Sequence, residues 1–142
     1  MLIVVPVTAL YAGLYALLLL VLAAAVSRQR RSLKVGLGDG GHPALARAIR
    51  AHGNSVEWGW PMLLLLLVAE LDHANRTFLH VCAILFLFAR IIYAVGVSHE
   101  AGISRGRLLG SALSWTVIAV LAVWNIVDFV RTVLAWVMTS HP

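Results

Sequence analysis

Residues 2–26 read LIVVPVTALYAGLYALLLLVLAAAV, 25 consecutive positions without a charge. A hydrocarbon layer about 30 Å thick takes roughly 20 helical residues to cross. Ala23-Ala24-Ala25 imitates a signal-peptide cleavage site, but no Lys or Arg precedes the run, and its length suits a spanning helix better than an h-region. A retained first helix is expected. Leu108–Val127 supplies a second clean span, 20 uncharged residues. Between them, Trp58–Ala69 offers 12 uncharged residues and Thr77–Ala89 offers 13. Each must extend past its own charges to cross, the second helix back through Glu57, Asn54 and Arg50, the third forward through Arg90 to about Val97. A pair of re-entrant segments would instead leave backbone groups to be satisfied in lipid. The expectation is an all-α, integral membrane four-helix bundle forming one domain over 1–142, with helices at about 3–27, 43–71, 76–97 and 107–137.

Composition agrees with that reading. The chain is 61% hydrophobic and 12% charged, with mean hydropathy +0.91, more apolar surface than a soluble domain of this length can hide. The net charge of +5 does not call for nucleic acid as a partner, because the basic residues cluster beside the spans. The connection Ser27–His42 holds Arg28, Arg30, Arg31 and Lys34, then Gly36, Gly38, Gly40 and Gly41. The connection Ser98–Gly106 holds Arg105, with Arg47 and Arg107 close to the same side. The opposite side has Arg76 and Arg131, around a tight turn at Leu71–Arg76. A positive-inside bias then places both termini outside and both basic loops in the cytoplasm. The single cysteine, Cys82, rules out an intrachain disulfide.

The chemistry concentrates on the second helix. Arg50, Asn54 and Glu57 fall at i, i+4 and i+7 and share one face, with Arg47 three residues earlier. An arginine fork suits a carboxylate, an amide both donates and accepts, and a glutamate accepts from an ammonium, so the ladder fits a zwitterionic ligand. A purely structural ladder between helices is the competing reading. On the third helix Arg90 and Tyr93 stand at i and i+3, and an arginine so deep needs a partner, for which Glu57 is the obvious choice. Arg107 opens the fourth helix, where it can lean over the mouth of the same cavity or simply anchor the membrane edge; Arg105 has the same two readings. The six histidines show no ligand spacing on a common face, so no metal is expected. Gly36-Leu-Gly-Asp-Gly-Gly41 contains G-x-G but follows a membrane helix rather than a strand and lacks the Lys-Ser/Thr of a phosphate loop.

These residues carry a resemblance. Arg50-Ala-His-Gly-Asn54-Ser-Val-Glu57, preceded by Gly-Asp-Gly-Gly-His-Pro, resembles the signature of the MAPEG family, the membrane-associated proteins in eicosanoid and glutathione metabolism. Ala89-Arg90-Ile-Ile-Tyr93-Ala-Val-Gly96 looks like that family's third-helix pattern and Arg107-Leu-Leu-Gly110 like the start of its fourth, in the manner of the short bacterial members. The resemblance implies a homotrimer in a bacterial inner membrane, with glutathione as co-substrate held between neighbouring subunits. It implies that Arg47, Arg50, His52, Asn54, Glu57, Trp58, Arg90 and Tyr93 form the glutathione pocket and that Arg30 or Arg31 meets a glutathione carboxylate. Trp58 stands where eukaryotic members often have tyrosine. Arg107 matches the thiol-activating arginine, with Arg105 and Tyr93 as the other catalytic candidates. The implied activity is a glutathione transferase, with peroxidase activity on lipid hydroperoxides, acting on lipophilic electrophiles that arrive through membrane lipid. A non-catalytic lipid- or glutathione-binding protein is the alternative.

Overall fold

The computed structural model describes residues 4–99 and 104–140, and four helices account for most of them: α1 (Pro6–Leu33), α2 (Pro43–Leu71), α3 (Arg76–His99) and α4 (Arg105–Ser140). Proline begins both α1 and α2, where its missing N–H is no loss and its fixed φ suits the first turn. Asn75 caps α3 by accepting from the backbone N–H groups of Thr77 (2.9 Å) and Phe78 (3.2 Å). Ser104 does the same for α4, accepting from Arg107 N at 3.2 Å while its hydroxyl donates to Gly96 O at 3.0 Å. One serine thus starts α4 and ties that start to α3.

Helix lengths depart from the sequence expectation at the polar ends. The first helix does not stop near residue 27 but continues through Arg28, Gln29, Arg30 and Arg31 to Leu33. These are good helix formers once in water, and the two late arginines favour a helix C-terminus. The turn is made by Lys34 in the left-handed region (φ 56), and Arg30 Nη1 reaches forward to Gly36 O at 3.0 Å. The fourth helix likewise begins two residues earlier than expected and runs to Ser140.

α1, α3 and α4 are long and apolar enough to cross a membrane. α2 has the length, 29 residues, about 44 Å at 1.5 Å per residue; its polar first half keeps it from qualifying by composition. α3 is the central element: 44% of its apolar window is buried, against 11% for α1 and for α4. The main core gathers Tyr11, Tyr15, Met62, Leu66, Leu79, Phe86 and Leu121, and a smaller cluster joins Ala51, Tyr93, Ala94 and Val97. Leu17, Leu20, Leu64, Phe88, Leu109, Val123 and Ile126 point outward and exposed, as lipid-facing positions do.

Two close approaches of backbone set the geometry around α3. A Cβ at Gly110 would stand 2.6 Å from Ala89 O, one at Gly96 2.8 Å from Arg107 N, and one at Gly106 3.1 Å from Gly96 Cα. Gly106 and Gly110, four residues apart, therefore let α4 lie directly on α3, the small-residue packing that suits helices in lipid. On the other side a side chain at Gly59 would fall on the Tyr15 ring. Tyr15 fills that space and donates to Ser55 O at 2.7 Å.

Candidate functional site

The glycine contact brings the first turn of α4 against the C-terminal turns of α3, opposite the polar first half of α2. Between them lies a cavity of about 410 Å³ lined by Arg50, Asn54, Glu57 and Trp58 of α2, Tyr93 of α3, and Arg107, Leu108, Ser111, Ala112 and Trp115 of α4. That is within the usual range for a small-molecule site. The helical spacing puts the α2 residues on one wall, as expected from i, i+4 and i+7. Arg107, Ser111 and Trp115 repeat the device on α4 at intervals of four. Trp115 escaped the sequence reading, although its spacing from Arg107 and Ser111 is a usable signal. Trp58 and Trp115 approach with ring centroids 6.1 Å apart, and the exposed flanks of Leu108 and Trp115 make one wall of the cavity continuous with the apolar exterior.

Polar groups divide into an outer and an inner tier. In the outer tier Arg50 Nη1 stands 3.7 Å from Glu57 Oε1, with both side chains more than half exposed. In the inner tier Arg90 is fully buried. Its Nη1 donates to Asn54 Oδ1 at 3.0 Å, and its guanidinium carbon lies 4.5 Å from the centre of the Tyr93 ring. Asn54 Nδ2 completes the link with a long bond of 3.5 Å to Glu57 Oε2. The partner of Arg90 is therefore Asn54 rather than Glu57. Charge alone suggested the carboxylate, but burial decides: Glu57 sits on the exposed side of the α2 face and Asn54 on the side turned to α3. Among the described residues, Arg90 Nε and Nη2 are buried without a hydrogen-bond partner.

Other candidates lie elsewhere. Arg30 and Arg31 line a separate groove with Ser27, Lys34, Val35 and Gly36. Arg105 faces a larger groove of about 740 Å³ with Ile91, Ile92, Val95, Gly96, His99, Ser104 and Gly106. Size does not single that groove out, because none of the α2 ladder reaches it. Arg47 and His52 are half-buried on α2 and line neither the cavity nor these grooves.

A second polar cluster, absent from the sequence reading, lies where α1 begins. Glu70 accepts from the backbone N–H groups of Val7 (2.9 Å) and Thr8 (2.7 Å), capping α1 from the end of α2. Nearby Tyr11 Oη and His80 Nδ1 share a hydrogen bond of 3.0 Å.

The model of the MAPEG family matches residues 8–127, which include every residue lining the cavity. Inner membrane protein YecN of Escherichia coli strain K12 is 36% identical over 120 residues, covering 84% of this chain and 90% of the relative. The protein of the same name from E. coli O6:H1 matches to the same extent.

Proposed function

The chain belongs to the MAPEG family and is a multi-pass inner membrane protein, and from that premise we propose that it is a glutathione transferase acting on lipophilic electrophiles. The observation that carries this reading is the cavity itself. It joins Arg50, Asn54 and Glu57, a set suited to a zwitterion, to a further cation, Arg107, and opens on an apolar wall. A lipid scaffold has little use for so polar an interior, which favours the enzyme over a non-catalytic binding protein.

In this reading the Arg50 fork takes a glutathione carboxylate and Glu57 accepts from its ammonium. Arg107 stands by the sulfur. A free thiol has a pKa of about 8.5, and only the thiolate is a strong nucleophile. Lowering that value by about 2 units requires about 2.7 kcal/mol of preferential stabilisation of the anion, within the reach of one close cation in a poorly solvated pocket. The thiolate then forms a carbon–sulfur bond with the electrophile, and the leaving group departs with its electron pair. With a lipid hydroperoxide the thiolate attacks oxygen instead. The O–O bond breaks, the lipid alkoxide takes a proton, and a second glutathione converts the resulting sulfenic acid to the disulfide and water. The apolar partner enters past Leu108, Ala112 and Trp115 from the bilayer. A homotrimer with its basic loops in the cytoplasm completes the proposal: Arg30 or Arg31 of one subunit then meets the glutathione of the next.

Calorimetric titration of detergent-purified protein with glutathione tests the binding half. For the chemistry, ultraviolet absorbance of the thiolate is followed against pH at saturating glutathione. Arg107→Ala should raise the bound thiol's pKa by about 1 unit or more and lower turnover at least about tenfold. Absence of glutathione binding by the wild-type protein would refute the reading.

A further inference from the structure

Arg90 lines no part of the cavity, yet it touches two residues that do. It is fully buried, while Asn54 at 7% and Tyr93 at 4% exposure stand between it and the open space. A buried guanidinium with two nitrogens lacking partners is costly to maintain, and an apolar side chain of similar volume would pack there at lower cost. The Tyr93 ring beneath it offsets only part of that cost.

We propose that Arg90 is a positioning residue that turns the Asn54 amide so that its NH2 group faces the cavity, making the centre of the site select a hydrogen-bond acceptor. The inference rests on the glutathione reading for its ligand but not for its geometry. Arginine has donors and no acceptor, so the Asn54 atom 3.0 Å from Arg90 Nη1 must be the carbonyl oxygen. An ionised carboxylate only accepts, so the atom toward Glu57 must be the amide nitrogen. Two neighbours of opposite kind therefore fix the orientation of a group whose oxygen and nitrogen are told apart by their hydrogen-bond partners. Of the two N–H bonds, one is directed to Glu57 and the other remains for a ligand acceptor, such as a peptide carbonyl or carboxylate of a tripeptide. The choice of asparagine over aspartate follows. Aspartate would pair better with Arg90, but it would offer the ligand an oxygen and set a second carboxylate beside Glu57.

The test has two arms on the full-length protein in detergent. In the first, without ligand, the protein carries 15N-labelled asparagine, and the Asn54 NH2 signals are identified by their loss in Asn54→Asp. They should shift in Glu57→Gln, shift and broaden in Arg90→Met, and return toward the wild-type position in Arg90→Lys, which restores a donor. Signals unmoved by Arg90→Met would overturn the proposal. In the second arm, Asn54→Asp keeps an oxygen toward Arg90 and replaces only the NH2. Its thermal midpoint should match or exceed the wild type while glutathione affinity falls at least tenfold. Glutathione binding as tight as that of the wild type would overturn the proposal, because it would mean that an oxygen already faced the ligand. Failure of the wild-type protein to bind glutathione would defeat the transferase reading alone, with the first arm still deciding the role of Arg90.

Discussion

Glu70 and Arg90 are ionisable groups that the bundle treats in opposite ways. Both oxygens of Glu70 are engaged by backbone donors at the start of α1, so the group is used up by the fold. Among the described residues, Arg90 has one hydrogen-bond partner and two buried nitrogens with none, and that partner belongs to a cavity. A charge whose hydrogen bonds are completed by backbone contributes to stability. A charge left incomplete beside an open space is better explained by what the space holds.

That contrast can be broken by mutation. The largest stability effect should come from Glu70→Ala, which removes two charge-assisted bonds and should lower unfolding free energy by about 2–3 kcal/mol. Thermal unfolding in detergent measures it, and glutathione affinity per folded molecule should stay the same. A loss of affinity would show that the two ends are coupled. Next, Arg50→Ala and Glu57→Ala should each weaken glutathione binding by about 2 kcal/mol, since each removes a charged contact to the ligand. Because the Arg50–Glu57 pair is exposed, breaking it should change stability by less than about 0.5 kcal/mol. Titration and melting of the same samples separate the two quantities, and a large drop in melting would favour a structural ladder. Tyr11→Phe should cost about 1 kcal/mol of stability through the lost bond to His80 and leave binding alone. The smallest effect belongs to Arg105→Ala. Arg105 faces a different groove, so the thiolate titration should not move; a shift as large as that of Arg107→Ala would exchange their roles.

Much of this was legible in the sequence. Uncharged runs give the number of helices, and the spacing of Arg50, Asn54 and Glu57 alone places them on one wall. The bounds of α2 and the start of α3 were legible, but the end of α1 and both ends of α4 were not, because a charge-free run reports where lipid stops and not where the helix does; Arg28 to Arg31 remain helical. The pairing of Arg90 was not legible either. Complementary charge pointed to Glu57, whereas the angular position of α3 against α2 delivers Asn54, and such rotation is written in contacts between helices. Glu70 was passed over for a related reason. Its partners are main-chain N–H groups 62 and 63 residues away, and no sequence pattern marks them.

The glycine contact between α3 and α4 has a consequence for how the site can vary. Where two main chains touch, as at Gly96, Gly106 and Gly110, the height of Arg107 over Tyr93 is a matter of register rather than of rotamer. Side chains elsewhere in the core can be exchanged without moving that cation. A single residue inserted between Gly106 and Gly110, by contrast, would rotate the rest of α4 by about 100° relative to its first turn. Arg107 would stay in place while Ser111 and Trp115 swung out of its line, and the cavity would lose a wall with no loss of hydrophobicity. Diversification of this site is therefore channelled into substitution, with changes of length confined to the connections.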